Sequence, residues 1–319
     1  STHPEDICQA DISRTLVRQE WPMWYTLGTM SVKTAVIPAG GLATRFLPAT
    51  KAVPKALLPL IDQPLIQYSI EEAVKAQIER IIIVAASDTR SISNYFDLSP
   101  ELETYLESRN SPILGRIREI SKMAQTVIVH QPQPLGLGEA VLRTRHLVGD
   151  EPFMVYLPDE IFLGDPSPTT QLIKSFRDQG AVIGITPVSL EQVSNYGIIG
   201  GVQISGDEWK IDQLVEKPAM DNAPSSIAVT GPYLFTPSIF RYLESVSPGV
   251  SGEIQLTDAI NLLAQSEDVT GLLYHADRYD CGTPIGLLKA SVEIALTQDE
   301  HKSELGMWIR KLSKNLEAP

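Results

Sequence analysis

Residues 33 to 60 read Lys33-Thr-Ala-Val-Ile-Pro-Ala-Gly-Gly-Leu-Ala-Thr-Arg-Phe-Leu-Pro-Ala-Thr-Lys-Ala-Val-Pro-Lys-Ala-Leu-Leu-Pro-Leu60, and the fold is decided there. A short apolar run, Ala35 to Ile37, breaks at Pro38 into a loop that carries Gly40 and Gly41, then Arg45 and Lys55. An apolar run of this length fits a buried strand, and glycines directly after it let backbone approach a ligand where a Cβ would collide. Loop N–H groups beside two cations make a cradle for a polyphosphate. Two familiar nucleotide loops are excluded by spacing. A Walker loop needs Gly-x-x-x-x-Gly-Lys followed by Ser or Thr, and the lysine here comes too late; the dinucleotide pattern Gly-x-Gly-x-x-Gly is absent. An isolated Gly-Gly is more often a plain turn. With Thr44-Arg45, Pro54-Lys55 and Leu57-Leu58-Pro59-Leu60 following in order, the stretch reads as a nucleotide-binding loop that can do chemistry.

Outward from this loop, apolar runs alternate with helical periods, which argues for a largely parallel sheet with helices on both faces. The strands are expected at 34–37, 80–85, 126–129, 153–157 and 181–187. The helices are expected at 64–77, 91–96, 100–107, 113–124, 138–148 and 169–179, then 237–243, 254–264, 283–296 and 301–312. After Ser194 the texture changes to short strands and turns ending at Glu216-Lys217-Pro218, which reads as a smaller sheet-rich lobe. The net charge of −13, from 26 basic and 39 acidic residues, and the lack of any concentrated basic patch weigh against nucleic acid or an anionic membrane as partner. Arg45, Lys55 and Lys217 would then be the local cations for an anionic substrate. Two distant cysteines, Cys8 and Cys281, form no framework and point to a reducing cytoplasm; neither a membrane span nor a signal peptide is visible.

Pro38-Ala-Gly-Gly-Leu-Ala-Thr-Arg-Phe-Leu-Pro-Ala-Thr-Lys-Ala-Val-Pro-Lys55 resembles the signature of the sugar-phosphate nucleotidylyltransferases, and Leu47-Pro-Ala-Thr-Lys51 is similar to their bacterial UDP-glucose pyrophosphorylase branch. The resemblance runs from about Lys33 to Leu296. It implies a Rossmann-like three-layer α/β sandwich with a mostly parallel central sheet, a smaller sugar-binding lobe and C-terminal helices. The expected division is an extension at residues 1–30, a nucleotidylyltransferase domain at 31–298 and a helical tail at 299–319. Met30-Ser31 looks like a natural start, and what precedes it is read as an upstream extension, an expression remnant or a docking arm.

The implied reaction is attack of a glucose 1-phosphate oxygen on the α-phosphorus of UTP. The nucleophile is already an anion, so positioning and charge neutralisation replace a general base. Arg45, Lys55 and Lys217 are the expected catalytic cations. Ala39, Gly40, Gly41 and Thr44 would hold the nucleotide with Gln131 and Gly136 of the Gln131-Pro-Gln-Pro-Leu-Gly-Leu-Gly-Glu139 loop, where a glutamine amide can both donate to and accept from a pyrimidine edge. Gly197, Glu216, Val229 and Thr230 match the sugar side. Asp159 and Asp280 are the implied ligands of a magnesium ion, which needs only one or two carboxylates beside phosphate and water. Taken alone, either aspartate would read as a cap or turn former, and Glu216-Lys217 as a solvated pair. Family likeness further implies a homodimer or homotetramer, with 283–312 as a candidate interface.

The pattern departs from the family at four places. Ala43 stands where glycine is usual before Thr-Arg, and Ala56 where glutamate follows Pro-Lys. His130 and Glu139 stand where the uridylyltransferase branch tends to have arginine and histidine. The Gln-Pro-x-Pro and Ala-Val-Thr-Gly wording leans toward glucose-1-phosphate thymidylyltransferases, which stay open as an alternative. So does a non-catalytic nucleotide-sugar-binding paralogue, and Glu216 could serve glucose or galactose.

Overall fold

The computed structural model describes residues 32–86, 90–249 and 252–317. The extension expected at 1–30 lies outside them. The strands are β1 (Thr34–Ala39), β2 (Pro59–Leu60), β3 (Gln63–Pro64), β4 (Arg80–Ala85), β5 (Gln125–His130), β6 (Phe153–Val155), β7 (Glu160–Leu163), β8 (Ala181–Pro187), β9 (Gly197–Ser205), β10 (Glu208–Glu216), β11 (Ile227–Phe235), β12 (Val269–Leu273) and β13 (Asp277–Asp280). The helices are α1 (Leu65–Lys75), α2 (Arg90–Phe96), α3 (Pro100–Ser108), α4 (Leu114–Ile120), α5 (Leu137–Leu142), α6 (Arg145–Val148), α7 (Pro168–Ser175), α8 (Ile239–Ser245), α9 (Leu256–Ala264), α10 (Pro284–Thr297) and α11 (Asp299–Glu317). The helix expected at 138–148 is divided: residues 143 and 144 keep right-handed dihedrals, but Thr144 N donates to the Val141 carbonyl three residues back at 3.0 Å, which breaks the α-helical ladder between α5 and α6.

Nine strands form one sheet in the order β5-β4-β1-β6-β11-β8-β12-β10-β9. The sheet is mixed: seven of these nine strands share one direction, and β11 and β10 run against them. β5, β4, β1 and β6 run parallel, as do β8 and β12, whereas β11 lies antiparallel to both β6 and β8, and β10 is antiparallel to β12 and β9. The physical reason lies in the connections. Parallel neighbours need a long crossover, whereas β9 and β10 are joined only by Gly206 and Asp207, with Gly206 at φ +47, and must pair as a hairpin. The sheet-rich segment after Ser194 is therefore the edge of this same sheet.

Alternating side chains of β1 face two cores. Val36 packs with Phe153, Phe235 and Phe240 against α5, α8 and α9, while Ala35 and Ile37 pack with Ile66, Ile81 and Ile83 on the side of α1, α2 and α7. Phe153 and Phe240 stack with their ring centroids 5.1 Å apart. Strands covered on both faces read as unbroken apolar runs, which is why β1 and β4 were legible. A third cluster joins Phe46 and Leu60 of the glycine loop region to Ile161 of β7 and Ala290 and Ile294 of α10. It anchors the glycine loop region to the C-terminal part of the chain.

β7 and β13 form an antiparallel ribbon in which Glu160 faces Asp280. The Glu160 carboxylate is clamped: it pairs with Arg278 and accepts from Gly231 N at 2.6 Å and Thr230 Oγ1 at 2.9 Å. Burial raises its pKa above the ordinary carboxylate range, and the Arg278 guanidinium pulls it back. Removing one partner of a buried pair strands the other charge. Arg278→Met should therefore lower stability by about 3–5 kcal/mol in urea unfolding at neutral pH. A carboxyl whose folded pKa is raised loses stability as pH rises, so without its guanidinium the deficit should be larger at pH 7.5 than at pH 5. An equal deficit at both values would mean that Glu160 is not the stranded group.

Candidate active site

The carboxyl ends of β1 and β6 open into a cleft of about 660 Å³, the edge where ligands bind in open α/β sheets. The loop after β1 forms its floor. A Cβ at Gly40 would lie 2.6 Å from Gln131 Oε1 and force that amide to shift, whereas a Cβ on Gly41 would meet nothing. Ala43 holds a left-handed conformation, φ 49 and ψ 40, ahead of the 3-10 turn Thr44–Phe46. Its methyl group at the usual glycine position costs about 1–2 kcal/mol of backbone strain. Thr50 Oγ1 donates to the Ala43 carbonyl at 2.9 Å and holds the turn.

On one side, Gly136 has φ +100, and a Cβ on it would strike the Ile254 carbonyl at 2.6 Å. Gly138 N donates to that carbonyl at 2.9 Å and Ile254 N to the Leu135 carbonyl at 2.7 Å. The 135–138 loop is thus stitched to the segment that carries Glu253, Gln255 and Thr257 into the cleft wall. Gln131, buried at 4% exposure, projects from the end of β5 between this loop and Gly40.

At the centre, Lys55 Nζ donates to Asp159 Oδ2 at 2.5 Å and stands 5.4 Å from the Phe46 ring centroid. Cys281 N donates to the Asp159 carbonyl at 2.8 Å, which ties the turn ahead of β7 to the residue after β13. A Cβ on Gly282 would sit 2.8 Å from Asp280 Oδ1 and 3.6 Å from Asp159 Oδ2, so the two carboxylates converge on one space. Asp280 Oδ2 accepts from the Tyr196 hydroxyl at 3.2 Å. Burial, then the Asp280 charge, raises the Tyr196 pKa and keeps that hydroxyl protonated. Burial and the two aspartates push the Cys281 thiol up to about 12, so it is no nucleophile near neutral pH.

On the other side, Glu216 ends β10 with Oε1 on Lys217 Nζ at 2.9 Å and Oε2 accepting from Thr257 Oγ1 at 2.7 Å. Lys217 has φ +43, and its N–H donates to the Tyr196 carbonyl at 3.0 Å. A Cβ on Gly197 would press on Thr257 Cγ2 at 3.1 Å.

Of the residues expected from sequence, Ala39, Gly40, Gly41, Thr44, Lys55, Gln131, Gly136, Asp159, Gly197, Glu216, Lys217 and Val229 all line this one cleft. Three do not. Arg45 is exposed on the Thr44–Phe46 turn, with no ion pair to a described residue; Thr230 is buried behind the wall, where it holds Glu160; and Asp280 stands behind Tyr196. Sequence reasoning gave no role to Glu160, Arg278 or Thr257. Thr257 falls in the helix expected at 254–264; the other two carried no local signal.

Residues 34–296 match the family described as Nucleotidyl transferase. The chain is 42% identical over 286 residues, 89% of its length and 99% of the relative's, to UTP--glucose-1-phosphate uridylyltransferase 2 of Staphylococcus saprophyticus. Its fold resembles a UDP-glucose pyrophosphorylase solved with UDP-glucose, with a TM-score of 0.76 and 38% identity over 84% of this chain and 100% of that one. It is similar also to a UTP-bound UGPase from Acinetobacter baumannii, with a TM-score of 0.76 and 37% identity over 90% of this chain and 100% of that one. A glycine loop, a lysine–aspartate pair and a second lysine across one cleft thus occur in a chain that belongs to the nucleotidyl transferase family.

Proposed function

We propose that the chain transfers a uridylyl group from UTP to glucose 1-phosphate, giving UDP-glucose and pyrophosphate. The observation that carries this is one continuous cleft with Gln131 at one side, Glu216–Lys217 at the other and Lys55–Asp159 between them. That arrangement suits two anions brought end to end. Relatives named for this reaction match nearly the whole of their own length. The glycine loop would hold the UTP phosphates, and Gln131 and Gly136 the base. Glu216 would accept from sugar hydroxyls while Lys217 holds the sugar phosphate. The sugar phosphate oxygen would attack the α-phosphorus in line, with Lys55 offsetting charge at the centre and Arg45 offsetting charge on the departing pyrophosphate.

The residues fit a magnesium ion. Asp159 and Asp280 turn hard oxygen donors onto the space beside Gly282, and Lys55 supplies a counter-charge to Asp159. Bound there, the ion would neutralise phosphate charge. The reading extends to a catalytic domain at 31–298 with a helical tail at 299–319, built as the three-layer sandwich and working in the cytoplasm. Among the described residues, no helix is long and apolar enough to cross a membrane. It includes a homodimer or homotetramer, supported by Ile285 and Leu288 of α10 and Met307 and Trp308 of α11, all exposed. A sedimentation profile of monomer alone at micromolar concentration would remove that part.

Pyrophosphate release with UTP or dTTP and a panel of sugar 1-phosphates tests the assignment. UTP with glucose 1-phosphate should turn over fastest, although one methyl group separates uracil from thymine, worth about 1–3 kcal/mol in a pocket. A clear dTTP preference would make the enzyme a thymidylyltransferase, and binding of UDP-glucose without any release would make it a regulatory paralogue. Arg45→Ala should lower kcat by about 10²- to 10³-fold with the glucose 1-phosphate KM nearly unchanged. Lys217→Ala should raise that KM as well as lower kcat. Near-normal turnover of Arg45→Ala would remove Arg45 from the chemistry.

A further inference from the structure

Glu139 is a charged side chain with only 8% of its surface exposed, in the first turn of α5, and it touches Gln131, which lines the cleft proposed above as a site for polyanions. Its surroundings explain how it is tolerated. Arg143, one turn further on, donates through Nε to Glu139 Oε1 at 2.5 Å. The other oxygen, Oε2, accepts from Gln131 Nε2 at 2.6 Å, and the same amide nitrogen donates to the Gly136 carbonyl at 3.2 Å. The Gln131 main chain is fixed too, its N–H donating to the Ala85 carbonyl at 2.8 Å.

An amide nitrogen has two hydrogens, and both are used. A carboxylate beside an arginine and a backbone carbonyl can only accept. Turning the amide over would set Gln131 Oε1 against both acceptors with no hydrogen between them, and a buried, unmade bond of that kind is costly. The nitrogen therefore points inward and the oxygen outward. Oε1 accepts from no described residue, and a Cβ at Gly40 would lie 2.6 Å from it.

We infer that Glu139 is a positioning residue that makes Gln131 an acceptor alone, so that the cleft selects bases offering an N–H at that edge. The inference rests on the base lying against Gln131, as proposed above. Uracil and thymine carry a hydrogen on N3. Cytosine has a lone pair there, as adenine has on N1, and either would bring two acceptors together. A free glutamine amide would not discriminate, because it turns to suit both. Arg143 completes the device by supplying the counter-charge that a buried carboxylate needs.

Titration calorimetry of the full chain with UTP and with CTP tests this without requiring turnover. The wild-type protein should bind UTP roughly 10- to 100-fold more tightly than CTP. Glu139→Met removes the acceptor and leaves the amide held only by Gly136, so most of that preference should vanish. Glu139→Gln keeps an oxygen that can accept and should retain it. The inference is overturned by a wild-type protein that binds the two nucleotides equally, a result that needs no variant to fold. It is overturned also by a Glu139→Met protein with the wild-type preference, or by one that weakens both nucleotides equally, which would mark Glu139 as mere support for the loop. Failure of the wild-type protein to release pyrophosphate from UTP and glucose 1-phosphate would sink the proposed reaction and leave these binding ratios standing.

Discussion

Lys55 and Asp159, 104 residues apart in sequence and 2.5 Å apart in space, form the contact around which the cleft is organised. The glycine loop brings the lysine and the end of β6 brings the aspartate. A half-buried ion needs a partner or water, and each of these serves as the other's partner. The neighbourhood remains rich in carboxylates, with Glu160 next in sequence and Asp280 across Gly282. Arg278 neutralises Glu160, whereas Asp159 and Asp280 have one lysine between them. A chain with net charge −13 thus gathers carboxylates around one lysine, an excess that a divalent cation would balance in the proposed reaction.

The mixed sheet makes this arrangement possible. β11 runs against both of its neighbours, and its register against β8 shifts between Thr230 and Tyr233. At that irregularity the backbone of Gly231 turns its N–H toward Glu160 instead of continuing the ladder. The β7–β13 ribbon is fastened to the main sheet at the point where it must present Asp280. An irregular strand beside an active site re-aims groups that a regular ladder would keep paired. The third core, from Phe46 to Ile294, performs the same service from beneath.

Close backbone approach sets the glycines. Gly40 yields space to Gln131, and Gly136 to Ile254, each where a methyl group would meet an oxygen at 2.6 Å. Ala43 shows the opposite choice: a left-handed position that accepts a side chain and carries the strain. Strain at such a position persists only where its surroundings over-determine the backbone, and here the Thr50 hydroxyl on the Ala43 carbonyl contributes.

Much of the fold was legible because burial on both faces writes itself as apolar runs, so β1, β4 and β8 stand almost where pattern placed them. The loop and most of the residues around the cleft were legible because their spacing is local or matches a family signature. Strand direction was not legible. An apolar run has no arrow, and β11 reads alike whether it pairs parallel or antiparallel. Nor was the burial of Thr230 or the exposure of Arg45, since each depends on what a distant segment covers. Glu139 read from sequence only as a departure from a pattern; its bonds to Gln131 and Arg143 arise where the end of β5, the glycine turn and α5 meet. The sequence by itself determined which residue types were available for the chemistry. Only the tertiary structure decided which of them face one another, because ion pairs and amide orientations are set by groups far apart in the chain and near in space.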